Sequence, residues 1–145
     1  CVVRPFNHTG PGQAASYAVA AFAQKVGFAV RSGGPAELSV GDLSAVRDLS
    51  DVRDLAKVLV HLTTAAQPPT MVHICSGVGR SMATVLDDLC DLAGLDRSTC
   101  IVHTAGRSAL RRNIGRPTRL AGVGRSIPWH QTLVDVLAEH SEPQQ

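Results

Sequence analysis

Two hydrophobic periods alternate along the chain. Cys1 to Phe6, with β-branched Val2 and Val3, is an apolar run of strand length, and it predicts a buried strand that stops at the turn residues. The polar tip Asn7-His8-Thr9 then meets Gly10-Pro11-Gly12, a tight and φ-permissive turn. Ala14 to Val26 is alanine-rich and apolar on most sides, which predicts a well-buried helix closed by Gly27. Arg31 to Pro35 reads as loop, and the alternation Glu37-Leu38-Ser39-Val40 as a short strand. Val52, Leu55, Leu59 and Leu62 return to helical spacing, with Ser50 or Asp51 as N-cap. Arg47 then sits on an irregular segment just ahead of that helix.

The second half repeats the alternation. Met71 to Cys75 predicts a strand, Ser76 to Arg80 its exit loop, and Ser81 the cap of a helix with Met82, Val85, Leu86 and Leu89 on one face, closed near Gly94. Thr99 to His103 is a last short strand. After an arginine-rich loop, Pro128 takes a first-turn position before a helix carrying Trp129, Leu133, Val136 and Leu137. Residues 142–145 read as a tail beyond a single unit spanning 1–141. Strand alternating with helix places the chain in the α/β class.

Composition narrows this picture. At 145 residues the chain has the length of one domain, and with only 3% aromatic residues its core must be built from Ala, Val and Leu. No apolar run approaches the ~20 residues of a membrane span. Cys1, Cys75, Cys90 and Cys100 form no CxxC pair and suggest no disulfide framework, so a reducing cytoplasm is expected. The chain begins with Cys inside a strand, the expectation for a fragment. Charge is uneven: residues 1–100 carry 8 Lys/Arg against 9 Asp/Glu, and residues 101–145 carry 6 against 3. The excess is Arg107, Arg111, Arg112, Arg116, Arg119 and Arg125, a solvated face or an anion site. Nucleic acid is the weaker choice, because no aromatic residue falls among them and no zinc-finger or RNP pattern is present.

Candidate chemistry concentrates early. Strand, polar tip, glycine turn and helix is how open α/β sheets present ligand-binding groups, and Asn7, His8, Thr9 and Gln13 cluster there. Arg47 follows apolar Ala45-Val46, and a half-buried guanidinium needs a counter-charge. Either Asp48, Asp51 or Asp54 supplies it, or an anionic ligand does. His73 and Cys75 share a strand face, but Cys100 and His103 point to opposite faces, so a metal site is rejected. Gly77-Val78-Gly79 lacks the third glycine of a dinucleotide fingerprint and reads as a plain turn. Tyr17 has Ala21, not Lys, four residues on.

Arg4 to Gln13 (RPFNHTGPGQ) together with Val46 to Asp54 (VRDLSDVRD) resembles the extended short-chain dehydrogenase/reductases that act on nucleotide sugars, nearest the GDP-mannose 4,6-dehydratases and the related GDP-6-deoxy-4-keto-hexose reductases. His73-Ile-Cys-Ser-Gly77 with Arg80-Ser81, and Ile127-Pro-Trp-His-Gln-Thr-Leu133, are similar to later strand, loop and closing-helix segments of that family. The resemblance covers most of the chain but only the family's second half. The Gly-rich cofactor fingerprint and the catalytic Tyr-x-x-x-Lys have no counterpart here, so no catalytic residue is assigned. Between Arg119 and Ile127 the sequence departs from the pattern, being shorter and without the family's Gly-Trp pair.

The resemblance implies the carboxyl-terminal, substrate-binding portion of a Rossmann-type nucleotide-sugar dehydratase or reductase, a small mixed sheet with flanking helices. Residues 1–26 would be the last part of the Rossmann-type sheet. Asn7 would hold the sugar nucleotide and Arg47 its diphosphate, with Arg112 and Arg116 in the late arginine segment that also lines the nucleotide site. His8 and Gln13, the latter where some relatives carry Arg, would touch NAD or NADP once the missing half is present. The partner is a nucleotide-diphosphate sugar, with a homo-oligomer of the family's kind and no nucleic acid or membrane. A module that binds the anion or docks on a separate subunit without turnover is the alternative.

Overall fold

The computed structural model describes every residue except 34–36, 105, 107–109, 125 and 142–145, and the backbone alone of Ser141. The tail 142–145, Arg107, Arg125 and the Gly34-Pro35 part of the first predicted loop therefore lie outside the described residues.

Strand β1 (Val2–Pro5) leads through Phe6 into β2 (Asn7–Thr9), the glycine turn and helix α1 (Ala18–Ser32). Strands β3 (Glu37–Val40) and β4 (Val46–Asp51) precede helix α2 (Val52–Thr64). Then come β5 (Met71–Ile74), β6 (Gly79–Ser81), α3 (Met82–Ala93), a 3-10 turn at Arg97–Thr99, β7 (Ile101–Thr104), β8 (Arg112–Asn113) and α4 (Trp129–Ser141). Pairing divides the strands into three small sheets. β1 runs parallel to β5, and β3 parallel to β7. β4 is the centre of the third, parallel to β2 and β8 and antiparallel to β6. The chain is a mixed α/β fold of the kind expected.

The core is aliphatic, as scarce aromatics require. Val19, Phe22, Ala23 and Val26 of α1 pack with Leu86 and Leu89 of α3, Leu133 and Val136 of α4, and Leu38 and Val40 of β3. The bounds of α1 differ from those predicted. It starts four residues later, because Gly10 and Ala14 carbonyls first close turns onto the Gln13 and Tyr17 amides. It also runs straight through Gly27 and ends at Gly33, which has φ 65°. Gly27 serves contact with α4 instead, since a Cβ there would come within 2.9 Å of the His140 carbonyl oxygen.

Two further expectations are corrected. Arg47 lies inside β4, not on irregular backbone, because β6 and β8 pair with both Val46 and Arg47. The consecutive charges Arg47-Asp48 hid that strand's alternation. Part of the predicted exit loop, Gly79-Arg80, is likewise strand β6.

Asp48 makes this arrangement possible. It is fully buried in β4. Its Oδ1 accepts from the Ser76 amide and hydroxyl, both at 2.7 Å, and its Oδ2 accepts from the Gly77 amide at 2.9 Å and the Gly115 amide at 3.1 Å. One carboxylate thus ties the β5–β6 turn and the segment after β8 to the central strand. Asp51, three residues on, caps α2 through the Arg53 amide, pairs with the Arg53 guanidinium at 2.7 Å and accepts from Thr132 of α4 at 2.8 Å. Arg53 reaches Asp135 as well, at 2.7 Å, so α2 is pinned to α4.

Strand β1 exists as predicted but is not buried. Its edge away from β5 has no partner among the described residues, and Val2 is 53% exposed. Helix α2 is amphipathic yet has no buried residue, with Leu59 43% and Val60 65% exposed. A parallel edge unpaired among the described residues and a helix with exposed apolar side chains invite association. The chain by itself is expected to self-associate as its concentration rises and to bind a hydrophobic dye. A concentration-independent monomer that ignores the dye in light-scattering and fluorescence measurements contradicts this.

The Asp51 network predicts an acid response. Burial alone would raise the Asp51 pKa, but hydrogen bonds from the Arg53 side chain, Thr132 and the Arg53 amide outweigh it and hold the carboxyl below its ordinary value. A carboxyl depressed in the folded state stabilises the fold above its unfolded pKa of about 3.9, and that contribution is lost as pH falls through the lower folded value. Asp51→Asn keeps a capping side chain but loses the charge-assisted bonds. It is expected to be less stable than the parent by about 1–3 kcal/mol at neutral pH, the gap narrowing below about pH 4. Thermal melts across that range check it, and a gap indifferent to pH contradicts it.

Candidate functional site

The loop that follows β2 is held in shape from three directions. Gly12 has φ 83°, a left-handed conformation that suits glycine, and its amide donates to Glu139 Oε2 of α4 at 2.6 Å. Thr9 Oγ1 donates to Gln13 Oε1 at 2.7 Å, and Gln13 Nε2 donates to the His8 carbonyl at 3.1 Å. Gly10 sits against α2, where any Cβ would press on Val52 at 2.6 Å. A polar turn fixed this firmly is a suitable wall for a ligand site.

Two cavities open on that wall. The larger, about 650 Å³, is lined by Asn7, His8, Gly12, Tyr17, Val52 and Asn113 among others. The smaller, about 250 Å³, is bounded by Asn7, Gln13, Tyr17, Ala45, Arg47 and Met82 among others. Asn7, His8, Gln13 and Tyr17 border both. Asn7 and Arg47, forty positions apart in sequence, therefore face one space. Parallel pairing of β2 with β4, Asn7 opposite Leu49, brings them there.

Arg47 is half-buried, and its Nη1 donates to the Val46 carbonyl at 3.0 Å. Asp42 lines the same cavity as Arg47, and each of the three aspartates considered as its counter-charges also accepts from other donors. Asp48 holds the loops described above, Asp51 holds Arg53 and Thr132, and Asp54 accepts from Lys57 at 2.9 Å and from the Ile127 amide at 2.8 Å. Arg47 and Asn7 border one cavity, and a guanidinium has the planar fork of donors that takes a phosphate or carboxylate bidentately.

The remaining predicted residues fall out unevenly. His8 is exposed on the cavity wall, its Nδ1 3.2 Å from the Phe6 carbonyl. Gln13 also borders the cavities, yet both ends of its amide are bonded within its own loop, so it acts first as a clasp. Arg112 is exposed on β8 with its backbone in register with Val46, and Arg116 is exposed two residues past Ile114. Neither lines a cavity that contains Asn7. Arg80, from the predicted turn, stacks on Trp129 at 4.6 Å and donates to the Leu49 carbonyl at 3.4 Å. Its burial pushes the guanidinium pKa down.

Burial raises the Cys90 thiol to about 11 and moves Cys75 in the same direction, with Asp48 adding to the latter. Neither supplies a thiolate near neutral pH. Among the described residues no group of three or more His, Cys, Asp or Glu is placed to hold a metal ion. Sequence reasoning missed Asn113 and Glu139 as parts of the site. A two-residue strand has no periodicity to reveal Asn113, and Glu139 acts 127 residues from its partner.

The NAD dependent epimerase/dehydratase family matches residues 1–75. The GDP-6-deoxy-D-mannose reductase of Pseudomonas aeruginosa is 30% identical over 142 residues, 95% of this chain and 47% of the relative. The solved structure of RMD from Pseudomonas aeruginosa complexed with NADPH superposes with a TM-score of 0.86 at 28% identity, covering 97% of this chain and 48% of that one. The UDP-glucose 4-epimerase of Thermus thermophilus, solved with NAD, shares the fold at a TM-score of 0.74 and 22% identity, covering 95% and 45%. The chain thus spans about half the length of this curated relative.

Proposed function

Because the chain belongs to the NAD dependent epimerase/dehydratase family, we propose that its paired cavities bind a nucleotide-diphosphate sugar, GDP-linked in the first instance. In this reading Arg47 holds the diphosphate and Asn7 the ligand beside it. The observation that carries it is the shared space: an arginine from β4 and an asparagine from β2 border one cavity, as that ligand's charge and hydroxyls require. The similarity to a GDP-6-deoxy-D-mannose reductase supports the choice of base.

The cofactor is NADP or NAD, met by His8 on the exposed wall of the loop. Gln13 would serve it by holding the His8 carbonyl in place. When bound, the cofactor supplies hydride chemistry at the sugar, as a 4,6-dehydratase or a 4-keto-reductase uses it. The phenol and lysine for that step would come from the half of the relatives that this chain does not span. The uncovered edge of β1 and face of α2 favour a second reading in which the chain docks on a separate cofactor-binding subunit. A Tyr-x-x-x-Lys read in frame ahead of Cys1 separates the two. All four cysteines are free thiols, which suits a reducing compartment such as the cytoplasm. No helix among the described residues is long and apolar enough to cross a membrane.

Arg47→Ala is expected to weaken GDP-mannose binding by about 1.5–3 kcal/mol, the value of a hydrogen bond to a charged group. Titration calorimetry on the natural polypeptide that carries the chain reads this directly. Unchanged affinity would reject the role of Arg47.

A further inference from the structure

Charge is divided between the two cavities. The smaller is lined by both the Arg47 guanidinium and the Asp42 carboxylate, whereas no described Lys, Arg, Asp or Glu lines the larger. In their place the larger has two asparagine amides, Asn7 and Asn113, together with the ring of Tyr17, which is 61% exposed. Neither amide side chain has a hydrogen-bond partner among the described residues. A primary amide offers two donors and an acceptor at fixed spacing, which fits the alternating donors and acceptors of neighbouring sugar hydroxyls. An aromatic ring gives the apolar face of a pyranose something to lie on. A neutral cavity with a few convergent polar groups is built for an uncharged, hydroxyl-rich ligand.

Asn113 is also rigidly supported. It lies in register with Arg47 across β4 and β8. The next residue, Ile114, packs so closely on Gly79 that any Cβ there would collide with it. Gly115 fits against Cys75 and Phe6 with no room for a side chain, and its amide is held by Asp48. A half-exposed asparagine fixed on both sides and left without a partner among the described residues is positioned for a ligand.

We propose that Asn113 is a specificity-determining residue that reads hydroxyls of the hexose, together with Asn7 in the larger cavity, while the diphosphate lies at Arg47 in the smaller. This rests on the nucleotide-sugar reading and adds to it the residue that distinguishes the sugar from the nucleotide alone. The test compares two probes, GDP and GDP-mannose, by calorimetry on the natural polypeptide and on Asn113→Ala and Asn113→Asp. GDP affinity is expected to stay within about twofold in both variants. GDP-mannose affinity should fall about three- to tenfold in Asn113→Ala, so that the sugar's advantage over bare GDP shrinks. Asn113→Asp, which keeps the shape and loses the donors, should fall in the same direction. Equal losses for both probes would assign Asn113 a merely structural part and overturn the proposal, as would no loss for either. A parent protein that binds neither probe overturns the nucleotide-sugar reading itself, and the Asn113 role with it. A parent that binds both probes equally overturns the Asn113 role and leaves the nucleotide site standing.

Discussion

A single buried carboxylate organises the half of the molecule that bears the site. Asp48 accepts four hydrogen bonds, three of them from backbone amides at the β5–β6 turn and beyond β8. Those amides belong to segments with little secondary structure of their own: β6 has three residues and β8 two. The carboxylate itself is fully buried, so without these donors it would be an unsatisfied acceptor at a cost of at least about 1–3 kcal/mol. Hydrogen bonds to a charged group are the stronger kind, so the carboxylate can define a strand too short to define itself.

The consequences run outward from that point. Alternation along β4 sends Asp48 to one face and its neighbours Arg47 and Leu49 to the other. The carboxylate knots loops behind the strand while the guanidinium remains at the cavity in front. At the carboxyl end of β4, Asp51 begins α2 and binds Thr132 of α4. Helix α4 in turn supplies Glu139, whose carboxylate receives the Gly12 amide. The polar loop after β2 and the arginine of β4 are therefore held at fixed separation by two chains of hydrogen bonds meeting at one strand. The binding of a nucleotide-diphosphate sugar proposed above, with charge at one end and hydroxyls at the other, would depend on that fixed separation.

Much of this was legible in the residues. Ser81 and Asp51 cap their helices as their side chains suggest, Pro128 opens α4, and Gly94 closes α3 in the left-handed conformation. Asn7 and Arg47 were both recognisable as candidates, from a strand tip and from a guanidinium needing an anion. What could not be read were features that depend on distant partners. Gly27 looks like a helix stop, yet it is a contact with α4. β6 and β8 exist through pairing with β4 and through Asp48, so no local pattern reveals them. The apolar run at Val2 and Val3 reads correctly as a strand, but its burial requires a neighbour that these residues do not contain. Gln13 looked like a ligand residue because its type is right; its amide is instead bonded within the loop.

Hydrogen exchange at three amides tests the organising role of Asp48 most directly. If the carboxylate ties both loops to β4, the amides of Ser76, Gly77 and Gly115 exchange slowly and together, opening with the α3 core amides around Leu86 and Leu89. Exchange of the three at the rate of exposed loop amides, while the α3 amides stay protected, would contradict the account.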